Sequence, residues 1–140
     1  MGVDMIKIAA AALGITFLLL GILGFIPGVT TTGGDGMPLL LDMFTVGSIH
    51  NVIHIISGAV GLIAASSTGY ARWYLQIFGL AYAFVAAIGF VQGDTVLGLV
   101  TVNFADNILH TVLAVLLLVV GFWLKGDEGS NIAPPIRRAM

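Results

Sequence analysis

The sequence contains no cysteine, and charged side chains are scarce. The absence of cysteine excludes disulfide bridges, thiolate chemistry and metal sites built on cysteine. Only 9% of the residues are charged, whereas soluble globular domains carry about 25%. Of the 140 residues, 59% are hydrophobic, and the mean hydropathy is +1.09. This composition argues against a conventional water-soluble fold and against intrinsic disorder. The formal net charge of −2 gives no footprint for nucleic acid.

Four apolar segments are long enough to cross a bilayer as helices. A spanning helix requires about 20 predominantly apolar residues, and the four segments cover residues 6–26, 43–65, 73–91 and 103–123. They are too long and too evenly apolar to be the alternating strands of a membrane β-barrel. The sequence therefore predicts an all-α fold, an integral membrane four-helix bundle. We expect residues 30–36, which are rich in threonine and glycine, to form a flexible connector.

The basic residues mark one side of the membrane. They lie near the N-terminus, in the middle connection or in the C-terminal tail, at Lys7, Arg72, Lys125, Arg137 and Arg138. Because cytoplasmic loops carry an excess of Lys and Arg, we expect both termini and the middle connection to be cytoplasmic, in a bacterial inner membrane. The lipid bilayer is then the main partner. Other membrane subunits or a second copy of the chain are further candidate partners, and nucleic acid is not.

Two parts of the chain resemble each other. Residues 42–54 and 98–110 align without gaps, and the helices that precede them align at a different offset. Matched residues include Thr45 with Thr101, Asn51 with Asn107, His54 with His110, Phe17 with Tyr82, and Gly24 with Gly89. We therefore predict a bundle built from two tandem two-helix repeats. The predicted units are residues 1–68, residues 69–125 and a polar cytoplasmic tail, residues 126–140. Because each repeat has two spans, a pseudo-two-fold axis lies along the membrane normal.

Polar residues of the second and fourth helices share one face. A helix advances about 100° per residue, so side chains four positions apart lie on the same face. The second helix carries the pattern H-N-x-x-H and the fourth carries D-N-x-x-H. The residues of this polar stripe are His50, Asn51, His54, Asp106, Asn107 and His110. Burying ionisable residues inside a membrane is costly, which makes the stripe the candidate functional site.

The polar stripe has a structural interpretation, which we favour at this point. Asn51, His54, Asn107 and His110 would make interhelical hydrogen bonds in an accessory or structural bundle of unknown activity. Asp106 would join Asn103 in capping the fourth helix. No catalytic residue is assigned, and the sequence leans against an enzyme. A third interpretation of the same face is a pathway for protons or small solutes.

A binding interpretation stands beside these. Three imidazoles and one carboxylate suit a transition metal such as zinc, iron or copper. The candidate metal ligands are His50, His54, Asp106 and His110. Alternatively, His54 and His110 ligate a haem or a chlorin. In either case Asn51 and Asn107 would be supporting partners of the cofactor site.

Three short motifs resemble a known family. They are G-I-L-G-F-I-P-G at residues 21–28, H-N-V-I-H-I-I-S-G at residues 50–58 and A-D-N-I-L-H at residues 105–110. Over roughly residues 14–123 the chain resembles small four-helix bacterial membrane proteins that are catalogued as a domain of unknown function. The resemblance implies the four-helix topology and supplies no activity.

Overall fold

Four helices make up most of the structure. The computed structural model of the chain describes residues 4–126, so the predicted tail lies almost entirely outside the described residues. The helices are α1 Met5–Leu23, α2 Ser48–Ala64, α3 Thr68–Gln92 and α4 Phe104–Trp123. By length and apolar composition, α1, α3 and α4 can each cross a membrane, whereas α2 has only 17 residues. These helices indicate a membrane protein that contacts lipid.

Short strands connect the helices at one end of the bundle, so the fold is helical with a small strand content rather than purely α. The strands are β1 Thr30–Thr32, β2 Pro38–Leu40, β3 Phe44–Thr45, β4 Thr95–Val96 and β5 Val100–Thr101. Strands β1, β2 and β3 form one antiparallel sheet, and β4 pairs antiparallel with β5. Residues 30–36, predicted to be a flexible connector, therefore contribute a strand. Threonine favours this pleated conformation because its side chain is β-branched.

The β2–β3 and β4–β5 hairpins have the same geometry. The paired residues are Leu39 with Thr45 and Leu40 with Phe44 in the first, and Thr95 with Thr101 and Val96 with Val100 in the second. Positive φ angles occur at Leu41 and Asp42 (57° and 56°) and at Leu97 and Gly98 (55° and 68°). Two successive central residues with positive φ are typical of a type I′ turn. Each hairpin then leads directly into a helix, α2 or α4.

Close backbone approach holds the helices together in pairs, α1 with α2 and α3 with α4. A Cβ placed on Gly14 would lie 2.9 Å from the carbonyl oxygen of Gly58, and one on Gly58 would lie 2.6 Å from that of Gly14. Only glycine permits such an approach of two helical backbones. The apolar core between the helices includes Ile6, Phe17, Tyr74, Leu75, Tyr82 and Leu117. Large apolar side chains cover the outward faces, which would contact lipid.

Polar contacts hold the opposite end of the bundle. Asp4 caps α1 by accepting hydrogen bonds from backbone N–H groups of its first turn, and the Thr68 hydroxyl donates to the same carboxylate. This hydrogen bond from Thr68 lowers the pKa of Asp4 below its usual value. The guanidinium of Arg72 donates to the carbonyl oxygens of Gly121 and Leu124 at 2.9 and 3.1 Å. The start of α3 is thereby tied to the ends of α1 and α4.

Candidate functional site

Three histidines meet just below the hairpins, and we term them the histidine triad: His50 and His54 on α2, and His110 on α4. Their ring centroids lie 4.6 Å (His50–His54), 5.7 Å (His50–His110) and 6.4 Å (His54–His110) apart. One ligand atom from each ring lies within 4.8 Å of the other two. All three residues are buried, with at most 8% of their surface exposed. The fold thus brings together three of the four predicted metal ligands.

Each ring of the histidine triad has a buried nitrogen that lacks a hydrogen-bond partner within residues 4–126. These atoms are His50 Nε2, His54 Nε2 and His110 Nδ1. The other nitrogen of His50, Nδ1, lies 3.1 Å from the carbonyl oxygen of Thr101. Because a carbonyl oxygen only accepts, Nδ1 is the donor, and Nε2 of the neutral ring carries a lone pair. A buried polar atom without a partner costs about 1–3 kcal/mol, so a ligand that satisfies these atoms stabilises the site.

Asp106, the fourth predicted ligand, lies beside the histidine triad and caps α4. Its Oδ2 accepts from the backbone N–H groups of Thr45 at 3.0 Å and Asn103 at 2.9 Å. The Asn103 side chain in turn accepts from the backbone N–H of Asp106 at 2.9 Å, which completes a capping box. The capping role expected for Asn103 and Asp106 is therefore present. Asp106 is not part of the cluster whose ligand atoms converge, although it lines the same cavity.

Asn51 and Asn107 pack against glycines of the neighbouring helix. A Cβ on Gly24 would collide with the carboxamide oxygen of Asn51, and one on Gly89 would collide with that of Asn107. Neither oxygen has a hydrogen-bond partner within the described part of the chain. Contacts of this kind are weak C–H···O interactions at most. The two asparagines therefore fit the helices together by shape rather than through the interhelical hydrogen bonds expected of them.

A small cavity of about 40 Å³ adjoins the histidine triad and Asp106. Its remaining wall is apolar and consists of Phe17, Leu20, Leu40, Phe44, Val46, Leu109 and Leu113. One water requires about 10–15 Å³ of such volume, so the cavity has room for an ion and a small ligand. Pockets for organic ligands measure about 300–1,000 Å³. A haem or chlorin between His54 and His110, one of the expected alternatives, does not fit this space.

Several residues around the site were not predicted from the sequence. The ring of Phe17 stacks on Tyr82 at 5.1 Å and lies 5.5 Å from His54, and Tyr82 lies 5.3 Å from His110. Thr101 and Thr45 hold His50 and Asp106 through their backbones. The sequence alignment of the two halves already pairs Thr45 with Thr101 and Phe17 with Tyr82. That pairing was the available signal, because a repeat would bring the matched residues of the two halves to equivalent positions around the site.

Comparison with known proteins gives a family and no activity. A family described as "Domain of unknown function (DUF4383)" matches residues 7–123, which run from the first turn of α1 to the end of α4. No curated protein and no solved structure gives a significant match. What the site does must therefore be inferred from its own geometry.

Proposed function

The chain belongs to the DUF4383 family, a domain of unknown function, and we propose that it is a membrane protein that binds one transition-metal ion through its histidine triad. One observation carries the proposal. Three buried imidazoles from two helices place ligand atoms within 4.8 Å of one another, and each ring has a nitrogen without a partner in the described chain.

A cation satisfies this arrangement better than water does. A buried water donates at most two hydrogen bonds, so it cannot donate to three imidazole nitrogens. A metal ion binds all three at once. Metal–nitrogen bonds of about 2.0–2.1 Å put tetrahedral ligand atoms roughly 3.3 Å apart, so modest rotations of the rings contract the present spacing. Three imidazoles with an open fourth position are the arrangement of metal sites that bind an exchangeable ligand.

The donor set selects the class of metal. Imidazole nitrogen suits zinc, copper, iron and nickel, whereas magnesium and calcium prefer oxygen ligands. The hydrogen bond from His50 Nδ1 to the Thr101 carbonyl is the outer interaction that commonly fixes the tautomer and orientation of a metal-binding histidine. The adjacent carboxylate of Asp106 would offset part of the positive charge of the bound ion. The proposed ligands are therefore His50, His54 and His110, with Asp106 as a neighbour.

We also propose that the two halves, residues 1–68 and 69–125, arose by duplication and meet at the site. The support is a pair of reciprocal contacts. His50 of the first half bonds to the backbone of Thr101 in the second, and Asp106 of the second half bonds to the backbone of Thr45 in the first. In the sequence alignment His50 corresponds to Asp106, and Thr45 to Thr101. Contacts exchanged between equivalent residues are the signature of a two-fold arrangement.

The metal content of the purified protein tests the proposed function. Protein extracted in mild detergent without chelators is expected to contain about one metal ion per chain, by elemental analysis. The metal-free protein should bind Co²⁺ and give the intense visible absorption of a four-coordinate site. His54→Ala and His110→Ala each remove a ligand. Loss of an outer-sphere partner weakens metal binding by about 10–100-fold. We expect each of these variants, which lacks a ligand, to bind the metal more weakly than that.

Ser57→Ala is the matched control, because Ser57 is a buried polar residue of α2 that does not line the cavity. It should retain the metal. Protein that contains no metal and binds neither Co²⁺, Zn²⁺ nor Cu⁺, while its helical circular dichroism is intact, would overturn the proposal. The polar stripe would then be a packing feature or a proton pathway, as the sequence also allowed.

A further inference from the structure

The cavity beside the histidine triad has an apolar rim between α1 and α4. Leu20 of α1 and Leu109 and Leu113 of α4 line it and are only half-buried. Helices α1 and α4 pack less closely with each other than each does with its own partner, α2 or α3. These three leucines lie on segments long and apolar enough to span the membrane. The opening of the cavity therefore faces the lipid side of the bundle.

The hairpins close the same cavity toward the outside of the bundle. Leu40 and Val46 line it and are each only 3% exposed, whereas Phe44 beside them is half-buried. Val102, above this layer, is 2% exposed. Beyond them lies a separate cavity of about 450 Å³ whose lining includes Asp35 and Asp94. Thr45 and Thr101 border this outer cavity, and their backbones are hydrogen-bonded to Asp106 and His50 respectively. An aqueous ligand would have to pass through this hydrogen-bonded layer.

These two observations give the proposed metal site a ligand class. Resting on that site, we infer that the open position of the metal takes a small uncharged diatomic molecule, of the class of dioxygen, nitric oxide or carbon monoxide, which arrives from the bilayer between α1 and α4. The volume of about 40 Å³ admits a diatomic beside an ion and is too small for a quinone or a lipid head group. Apart from the histidine triad and Asp106 the cavity wall is apolar, and apolar cavities bind apolar guests. An anion would have to shed its hydration to pass through this wall.

In the unmodified protein, carbon monoxide and azide distinguish access from the bilayer from access through the outer cavity. Carbon monoxide is uncharged and partitions into lipid, and it binds Cu⁺ without a change in oxidation state. Anaerobic protein loaded with Cu⁺ is expected to show one infrared C–O band that saturates at one carbon monoxide per copper. Protein loaded with Co²⁺ is expected to keep its visible spectrum when azide, a water-soluble anion, is added.

A pair of tryptophan variants tests the position of the opening. Leu113→Trp fills the gap between α1 and α4, so recombination of carbon monoxide after flash photolysis should slow by about tenfold or more, because binding then requires a conformational change. Leu116→Trp is the control. Leu116 lies on the same helix, is 53% exposed and does not line the cavity, so the same substitution there should leave the rate unchanged. Copper content is measured in both variants.

The outcomes distinguish this inference from the metal proposal. Protein that holds Cu⁺ but gives no C–O band overturns the ligand class and leaves metal binding intact. A change in the visible spectrum of the Co²⁺-loaded protein on addition of azide overturns access from the lipid and favours the outer cavity. Equal rates in Leu113→Trp and Leu116→Trp overturn the opening between α1 and α4. If Leu113→Trp loses its copper or fails to fold, the carbon monoxide and azide results on the unmodified protein still test the ligand class and the route from the lipid. Absence of any metal binding overturns both proposals.

Discussion

The carboxamide oxygen of Asn51 lies against Gly24, and that of Asn107 lies against Gly89. Each asparagine lies within one turn of a histidine of the triad, one residue after His50 or three before His110. The absence of a side chain on each glycine is therefore what lets the helices close around the histidine triad. At the residue scale, the site depends on the two glycines that leave room for the asparagines as much as on the histidines themselves.

Gly24→Ala and Gly89→Ala are expected to destabilise the bundle. Each added methyl group would collide with an asparagine that is only 2% exposed, and overpacking of this kind costs about 1–3 kcal/mol. The free energy of unfolding in detergent micelles measures the effect. Gly34→Ala is the control, because a Cβ there meets no atom within 4 Å. Equal stabilities of all three variants would contradict the close packing described.

Which residues lie at the site is easier to predict from the sequence than what each of them does. The spacing of four placed His50 and His54 on one face of α2, because that spacing is a property of any α-helix. The role of Asp106 is harder to predict because a carboxylate three residues after a helix cap can serve the cap, a metal or both. In the structure its Oδ2 accepts from Asn103, within the cap itself, and from Thr45, which belongs to a different hairpin 61 residues away; the second contact is not visible in the sequence.

At the scale of elements, the two hairpins combine the same turn with unfavourable residues. Leu41, Asp42 and Leu97 have positive φ angles, which clash with the Cβ of an L-residue. Gly98, which corresponds to Asp42 in the sequence alignment, has no such clash. The hairpins thus retain leucines where glycine or asparagine is the preferred residue of a type I′ turn.

Leu97→Gly is expected to stabilise the protein by about 1 kcal/mol, because the left-handed conformation costs a non-glycine residue roughly 1–2 kcal/mol and glycine returns part of this as chain entropy. Leu99→Gly in the same hairpin is the control. Leu99 is similarly exposed, at 64% against 57%, and its φ is not positive, so this change should not stabilise. Unfolding midpoints in one detergent compare the two. A midpoint for Leu97→Gly at or below that of Leu99→Gly would contradict the turn geometry.

The helices were predictable and the strands were not. A run of about 20 apolar residues is sufficient to identify a spanning helix, and α1, α3 and α4 overlap the segments predicted for them. The second segment was predicted to begin at residue 43, but α2 begins at Ser48. The difference arises because Phe44 and Thr45 form a strand of two residues. A strand this short is defined by its partners rather than by its own sequence.

At the scale of the whole molecule, the basic residues of the described chain and the site lie at opposite ends. Lys7, Arg72 and Lys125 lie at or near helix ends away from the hairpins, and residues 24–47 and 93–103 contain no lysine or arginine. The proposed orientation places the hairpins outside the cytoplasm and both termini inside. His50 and His54 are two and six residues into α2, so at 1.5 Å per residue they lie about 3 and 9 Å below its start. The histidine triad would then lie in the outer leaflet.

Single cysteines test this orientation, because the chain has none of its own. Gly34→Cys lies in the connection between β1 and β2, and Gly69→Cys lies in the first turn of α3 at the opposite end. In intact cells a membrane-impermeant maleimide is expected to label Gly34→Cys, and Gly69→Cys only after permeabilisation. The reverse labelling pattern would place both termini outside the cytoplasm.

The reciprocal bonds between the two halves have a consequence for biosynthesis. His50 is separated from Thr101 by 51 residues, and Thr45 from Asp106 by 61. At a synthesis rate of about 5–20 residues per second, roughly 3–12 seconds pass before the first half meets these partners. During that interval α1 and α2 would enter the bilayer carrying His50 and His54, before His110 of α4 has been inserted. If the histidine triad binds a metal ion as proposed, the ion would be acquired by the completed bundle rather than by the nascent chain, and any factor that delivers it would act on the inserted protein.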